Sequence, residues 1–269
     1  MNIKKMMIVG LTLVAGLSLA ACSSEQSSQN ELEKIKEKGT IVVATSPDYA
    51  PFEFQTLVDG KNKIVGADIL LAKKFADELG VKLEVSPMNF DNVLNSVQSG
   101  KADIAIAGLS YSEDRAKVFD FTNVYNSADN VLLVKSDTVN DYAKNADLAS
   151  KKLAVQKGTI QEVYANENLT DSSVISLTVL GEAINELKNG KVDAILLDAA
   201  VAEGYAAQNP DLAVSTMTFE EAQNDGKVVA MPKDSPELKE ALDKIIKEVV
   251  DAGAYDSYLE EVSKYTVVE

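Results

Sequence analysis

The chain has no histidine, no tryptophan and one cysteine, Cys22. Histidine triads, histidine metal sites and histidine acid–base catalysis are therefore excluded, and no disulfide can form within one chain. A Gly-rich phosphate loop and a dense run of acidic calcium ligands are also missing from the sequence. The chemistry left is that of carboxylates, lysine, tyrosine and arginine. Two positions stand out. Arg115 follows Ser112-Glu113-Asp114, a pattern that suits a helix start. A guanidinium there can grip a carboxylate through two parallel charge-assisted bonds, or pair with Glu113 or Asp114 at the surface. Asp198 closes the apolar run Ala194–Leu197. A carboxylate in that place can serve a ligand or simply end a strand. No catalytic residue, no metal site and no cofactor is expected.

The elements that would position these two residues occur as a repeat. Asn92–Ile106 (NVLNSVQSGKADIAI) and Glu182–Leu196 (EAINELKNGKVDAIL) share one pattern. Asn95, Gly100, Lys101 and Asp103 correspond to Asn185, Gly190, Lys191 and Asp193 at a constant offset of 90 positions. Each unit predicts a helix, a glycine stop, a tight turn and a buried strand. Two such units imply two α/β lobes of similar build. Ligands on open α/β sheets sit beyond the carboxyl ends of the strands. The repeat thus nominates the segment starting Ala107-Gly108 and the segment reaching Asp198 as cleft-facing.

Elsewhere, Thr40–Thr45 predicts a β-branched strand, and Ser46–Phe54 a proline-pinned, aromatic loop. Asp68–Leu79 predicts an amphipathic helix stopped by Gly80, and Val81–Val85 a strand. Phe90 opens the helix of the first repeat unit. This βαβαβ order favours a largely parallel sheet. Leu153–Gln156 and Lys227–Met231 predict strands, and Ile160–Asn166 a helix after Gly158-Thr159. Ser235, with Pro236 at the first helical position, caps a helix of about 15 residues ending near Gly253.

The N-terminus reads as targeting. Lys4 and Lys5 precede the mainly apolar Met6–Leu19, too short for a typical span. Leu19-Ala20-Ala21-Cys22 resembles a bacterial lipobox. That implies a signal over residues 1–21, a lipid such as palmitate on Cys22, and a flexible tether over 22–30. The chain carries 26 basic and 42 acidic residues, a net −16; cleavage before Cys22 removes Lys4 and Lys5 and leaves −18. Such a balance opposes nucleic-acid binding.

Together these pieces resemble the polar-amino-acid solute-binding proteins of bacterial ABC importers, whose fold also serves as the ligand core of ionotropic glutamate receptors. The motifs that carry the resemblance run nearly the length of Glu31–Glu269. They are Tyr49-Ala50-Pro51-Phe52-Glu53-Phe54, Gly66-Ala67-Asp68, Phe90-Asp91, Ala107–Arg115, Phe119-Asp120-Phe121-Thr122, Gly158-Thr159 and Leu197-Asp198. The implied fold is the two-lobed type II periplasmic-binding-protein fold. Each lobe is a mostly parallel sheet flanked by helices. Lobe 1 spans residues 31–126 plus 227–269, and lobe 2, residues 127–226, is inserted. Two crossing strands near Asn126–Asn130 and Asn224–Val229 form the hinge.

The resemblance also implies roles. Arg115 grips the ligand α-carboxylate, with Ser110, Thr159 and the Ile160 N–H completing its cage; Gly108 contributes backbone, and Asp198 takes the ammonium. Tyr49 and Phe90 sandwich the side chain. Because Ser46 stands where some relatives carry Asp, side-chain recognition falls to Asp48, Glu53 and Gln156. Acids near a neutral glutamine favour arginine, then lysine or glutamine. The implied function is a monomeric, lipid-anchored, extracytoplasmic receptor that closes on a free L-amino acid and docks to a membrane permease. A dehydratase-type enzyme on the same fold is the alternative.

Overall fold

A computed structural model describes residues 30–127, 129–219 and 226–265. Cys22 and the expected signal and tether lie outside the described residues, apart from Asn30. Asn30 caps helix α1 (Glu31–Lys38) by accepting the Glu33 N–H, and Gly39 stops it in the left-handed region. Strand β1 (Thr40–Thr45) follows. The chain then folds into a small antiparallel sheet of β2 (Asp48–Tyr49), β3 (Glu53–Val58) and β4 (Lys61–Val65). The Ser46–Phe54 stretch, expected as a loop, therefore contains β2 and the start of β3. Pro47 and Pro51 flank β2 and hide its alternation.

Helix α2 (Ala67–Leu79) buries Leu71, Ala72, Phe75 and Ala76 and ends at Gly80, φ 71°. Full burial of a side chain such as Phe75 contributes about 1.5–3 kcal/mol. Next come β5 (Lys82–Pro87), α3 (Phe90–Gln98), β6 (Ile104–Ala105), α4 (Glu113–Ala116) and β7 (Phe119–Phe121). The second lobe holds β8 (Asn130–Lys135), β9 (Lys152–Gln156), α5 (Ile160–Asn168), β10 (Ser173–Leu177), α6 (Leu180–Lys188), β11 (Ala194–Asp198), α7 (Ala199–Gln208) and β12 (Leu212–Thr218). The chain returns as β13 (Ala230–Pro232), α8 (Pro236–Asp251) and α9 (Ala254–Val262).

One sheet has the order β5-β1-β6-β13-β7, so it draws on both ends of the chain; the other is β10-β9-β11-β8-β12. β1 runs parallel to β5 and β6, and β9 parallel to β10 and β11, as helix crossovers require. In each sheet one strand runs against both neighbours: β13 in the first and β8 in the second. Both are the strands that arrive from the opposite lobe. A strand entering from the cleft side must point away from the cleft, whereas β1, β6, β9 and β11 end there. The two crossings are tied to each other. Lys227 N–H donates to Asn126 O at 2.6 Å, and Tyr125 N–H to Lys227 O at 2.9 Å.

The repeat has a structural meaning. Gly100 and Gly190 each adopt φ 69° after α3 and α6. Asp103 Oδ2 then accepts the Val42 N–H at 2.6 Å, and Asp193 Oδ2 accepts the Lys152 N–H at 2.7 Å. The repeated aspartate thus fastens the incoming strand to its neighbour in both lobes.

Two expectations need correction. Ser235 precedes α8, but its hydroxyl makes no capping bond; its N–H donates to Asp120 instead. Lys227–Val229 is not ladder strand: Lys227 forms isolated bridges to Ser110 and Asn126, and β13 begins only at Ala230. Among the described residues no helix is long and apolar enough to cross a membrane.

Candidate functional site

Between the sheets lies a narrow pocket lined by Tyr49, Phe90, Gly108, Ser110, Arg115, Gln156, Thr159, Ile160, Gln161, Asp198 and Lys227. It brings together nine of the ten residues nominated from sequence.

Arg115 sits in α4, whose N-cap Ser112 accepts the Arg115 N–H. Its guanidinium donates to Ser110 O at 2.6 Å and, across the cleft, to Gly158 O at 2.9 Å. It also stands 5.9 Å from the centre of the Phe90 ring, a cation–π distance. The surface-pair alternative fails at Asp114, whose carboxylate goes to Lys117 at 2.5 Å. Desolvation pulls the Arg115 pKa down to about 10, so the group stays cationic at neutral pH. Gly158 adopts φ 84°, and a Cβ there would meet Asp91 Cα at 3.1 Å. Only glycine lets α5 approach α3 this closely.

Thr159 caps α5, accepting the Glu162 N–H at 3.1 Å and donating to Gln156 O at 2.7 Å. Ile160 is the first residue of that helix. The free N–H groups of a helix start favour an anion, and the Arg115 guanidinium reaches the same corner at Gly158 O.

Asp198 terminates β11 and is 1% exposed. Its Oδ2 accepts the Tyr49 hydroxyl at 2.7 Å and the Lys227 ammonium; its Oδ1 accepts Gln161 Nε2 at 3.3 Å. Lys227 Nζ also reaches Ser110 Oγ at 3.1 Å. Gly108 turns the chain at φ 52°, where a Cβ would meet the Tyr49 ring at 2.9 Å. The Gly108 N–H goes to Asp68 Oδ2 at 2.8 Å.

Glu53 is the nominated residue that the pocket does not include. It is fully buried, and neither carboxyl oxygen receives a donor among the described residues. Burial, then the charge of Asp68, pushes its pKa well above the usual carboxylate range. Glu53 lies beside the Asp68 carboxylate and outside the pocket lining. Asp68 further accepts from Tyr125 and Tyr255 at 2.9 and 2.5 Å. The far end of the pocket is closed by Gln156, whose Nε2 donates to Asp48 at 3.1 and 3.3 Å. Asp48 also accepts the Leu180 N–H at 2.8 Å and the Ser46 hydroxyl at 3.0 Å; burial nonetheless raises its pKa.

Gln161 and Lys227 line the pocket without having been foreseen. Gln161 carried no signal beyond its place in the first turn of α5. Lys227 did carry one: it is the charged head of an otherwise apolar run, KVVAM.

Residues 41–263 match the family model of bacterial extracellular solute-binding proteins, family 3. The chain is 32% identical over 257 residues to the arginine-binding extracellular protein ArtP of Bacillus subtilis, covering 93% of this chain and 94% of that one. It is 30% identical to a probable histidine-binding protein of Campylobacter jejuni, covering 96% and 98%. Among solved structures, the amino acid ABC transporter substrate-binding protein AbpA of Streptococcus pneumoniae bound to L-arginine superposes with a TM-score of 0.84 at 53% identity, over 86% of this chain and 98% of that one.

Proposed function

The chain belongs to the bacterial extracellular solute-binding proteins of family 3, and from that membership we propose that it is the extracytoplasmic receptor of an ABC amino-acid importer, with L-arginine as its ligand and lysine or glutamine as weaker candidates. The carrying observation is that Arg115 from one lobe and Asp198 from the other line a single interlobe pocket. An α-amino acid presents a carboxylate and an ammonium with that polarity. Arg115, Ser110, Thr159 and the start of α5 take the carboxylate; Asp198 and the Gly108 carbonyl take the ammonium. Tyr49 and Phe90 flank the side chain, which is directed toward Gln156 with the Asp48 carboxylate behind it. Glu53 supports Asp68 and does not touch the ligand. Because Arg115, Ser110 and Gly108 come from lobe 1 while the start of α5 and Asp198 come from lobe 2, a ligand held by both sets draws the lobes together around the paired crossings at Asn126 and Lys227. The closed monomer then docks to permease subunits. The dehydratase alternative has no support: Asp48 is engaged by Gln156 and Leu180, and Glu53 is sealed from the pocket.

A thermal-shift screen against free amino acids tests this. At 100 times its dissociation constant a ligand adds about 2.7 kcal/mol, or about 5–10 °C for a protein of this size. Arginine gives the largest shift. A screen in which no amino acid moves the melting point rejects the receptor reading.

The same reading makes Cys22 the lipid attachment point, since Leu19-Ala20-Ala21-Cys22 is followed by a polar stretch. Cys22→Ala abolishes fatty-acid labelling and releases or stalls the chain at this step. Persistent incorporation of labelled palmitate in that variant would refute the anchor.

A further inference from the structure

Lys227 is fully buried and lines the pocket, yet nothing about holding an amino acid requires a lysine there. Its backbone is fixed where the two crossings meet, between Asn126 and Ser110. From that anchor the side chain reaches Asp198 Oδ2 and Ser110 Oγ, with Nζ 5.7 Å from the centre of the Phe52 ring. Asp198 is the group to which an amino acid's own ammonium end would turn, and Ser110 belongs to the neighbouring carboxylate cage. Oδ2 of Asp198 is already shared with the Tyr49 hydroxyl, and Oδ1 with Gln161. Two ammonium groups against one carboxylate, in a site from which water is largely excluded, repel each other. Seating both is therefore disfavoured.

We propose that Lys227 is a tethered substitute for the ligand's α-ammonium: a free amino acid must displace Nζ from Asp198, and a ligand lacking the α-ammonium leaves it in place. This deepens the amino-acid reading and rests on it. Two consequences follow. Displacement weakens binding of every α-amino acid, because the apparent dissociation constant rises by the inverse of the fraction of molecules whose seat is open. The site also accepts a second ligand class, ω-guanidino carboxylic acids without an α-ammonium. Their carboxylate meets Arg115 while Lys227 keeps Asp198 neutralised.

The test compares L-arginine with δ-guanidinovaleric acid, which is arginine without its α-ammonium, by calorimetry on the wild-type protein and on Lys227→Met. Wild-type protein prefers arginine by less than about tenfold. Lys227→Met binds arginine about tenfold tighter, and its preference over the analogue widens to at least about 100-fold. Should Lys227→Met fold poorly, Lys227→Gln retains length and a donor without the charge and shifts the preference in the same direction. A preference that stays within about threefold of wild type, or a weakening of arginine in both variants, overturns the proposal and leaves Lys227 a structural partner of Asp198. Failure of the wild-type protein to bind any amino acid would instead remove the receptor reading, and this inference with it.

Discussion

Arg115→Met binds arginine about two to four decades more weakly than the wild-type protein while keeping its fold. The mutant leaves the ligand carboxylate desolvated against the start of α5 with no charged partner. Breaking one side of a buried charge pair in this way costs about 3–5 kcal/mol, which sets the number of decades. The cost to folding is smaller. Arg115 is only partly buried, and of the two carbonyls that it now engages, Gly158 O belongs to an exposed residue that water can reach. Removing it also relieves the desolvation that pulls its pKa down to about 10. Calorimetry at neutral pH, with circular dichroism as the fold control, decides the matter. A loss below about tenfold would mean that the carboxylate is held by the helix start alone.

Asp198→Asn has its largest effect on stability, not only on binding. Lys227 and Asp198 side chains are each 1% exposed, and the amide would leave a buried ammonium without its counter-charge. The expected cost is about 3–5 kcal/mol, a fall in melting temperature of about 6–20 °C. Ser110 Oγ and the Phe52 face remain near Nζ but carry no charge to balance it. If the unpaired lysine is the cause, the double variant Asp198→Asn, Lys227→Met regains most of the loss. A double-mutant cycle in urea measures that coupling. Additive losses in the cycle would show that Asp198 stabilises the fold through Tyr49 and Gln161, independently of Lys227.

The parts of the site that could be read in advance are those whose signal is local. Gly80, Gly100 and Gly190 each punctuate a helix because only glycine takes φ near 70° without strain. Ser112 caps α4 as its sequence neighbours suggest, and the strand ends at Ile106 and Asp198 reach the cleft because α/β topology places them there. The roles of Tyr49, Phe90 and Arg115 were legible only through several motifs in the right order, since each residue alone has an ordinary surface or core reading. What could not be read depends on partners far away in the chain. Ser235 has the sequence of a cap, but its backbone is engaged by Asp120, 115 positions earlier. Glu53 looked like a ligand acid in a proline-pinned, aromatic loop, yet it is fully buried beside Asp68. Lys227 lies 29 positions from Asp198 and 117 from Ser110, and a lysine heading an apolar strand ordinarily signals a solvent-exposed end.

The two backbone hydrogen bonds that tie Lys227 to Asn126 and Tyr125 also make the second sheet a modular insert. The whole second sheet, with its helices, departs and returns through two residues in direct contact. Its termini therefore meet like the two ends of a closed ring. Such a unit can be gained, exchanged or doubled with only two splices and no rerouting of the host chain. The matched aspartates Asp103 and Asp193, each fastening a neighbouring strand in its own sheet, show that the inserted unit and its host share one local building plan.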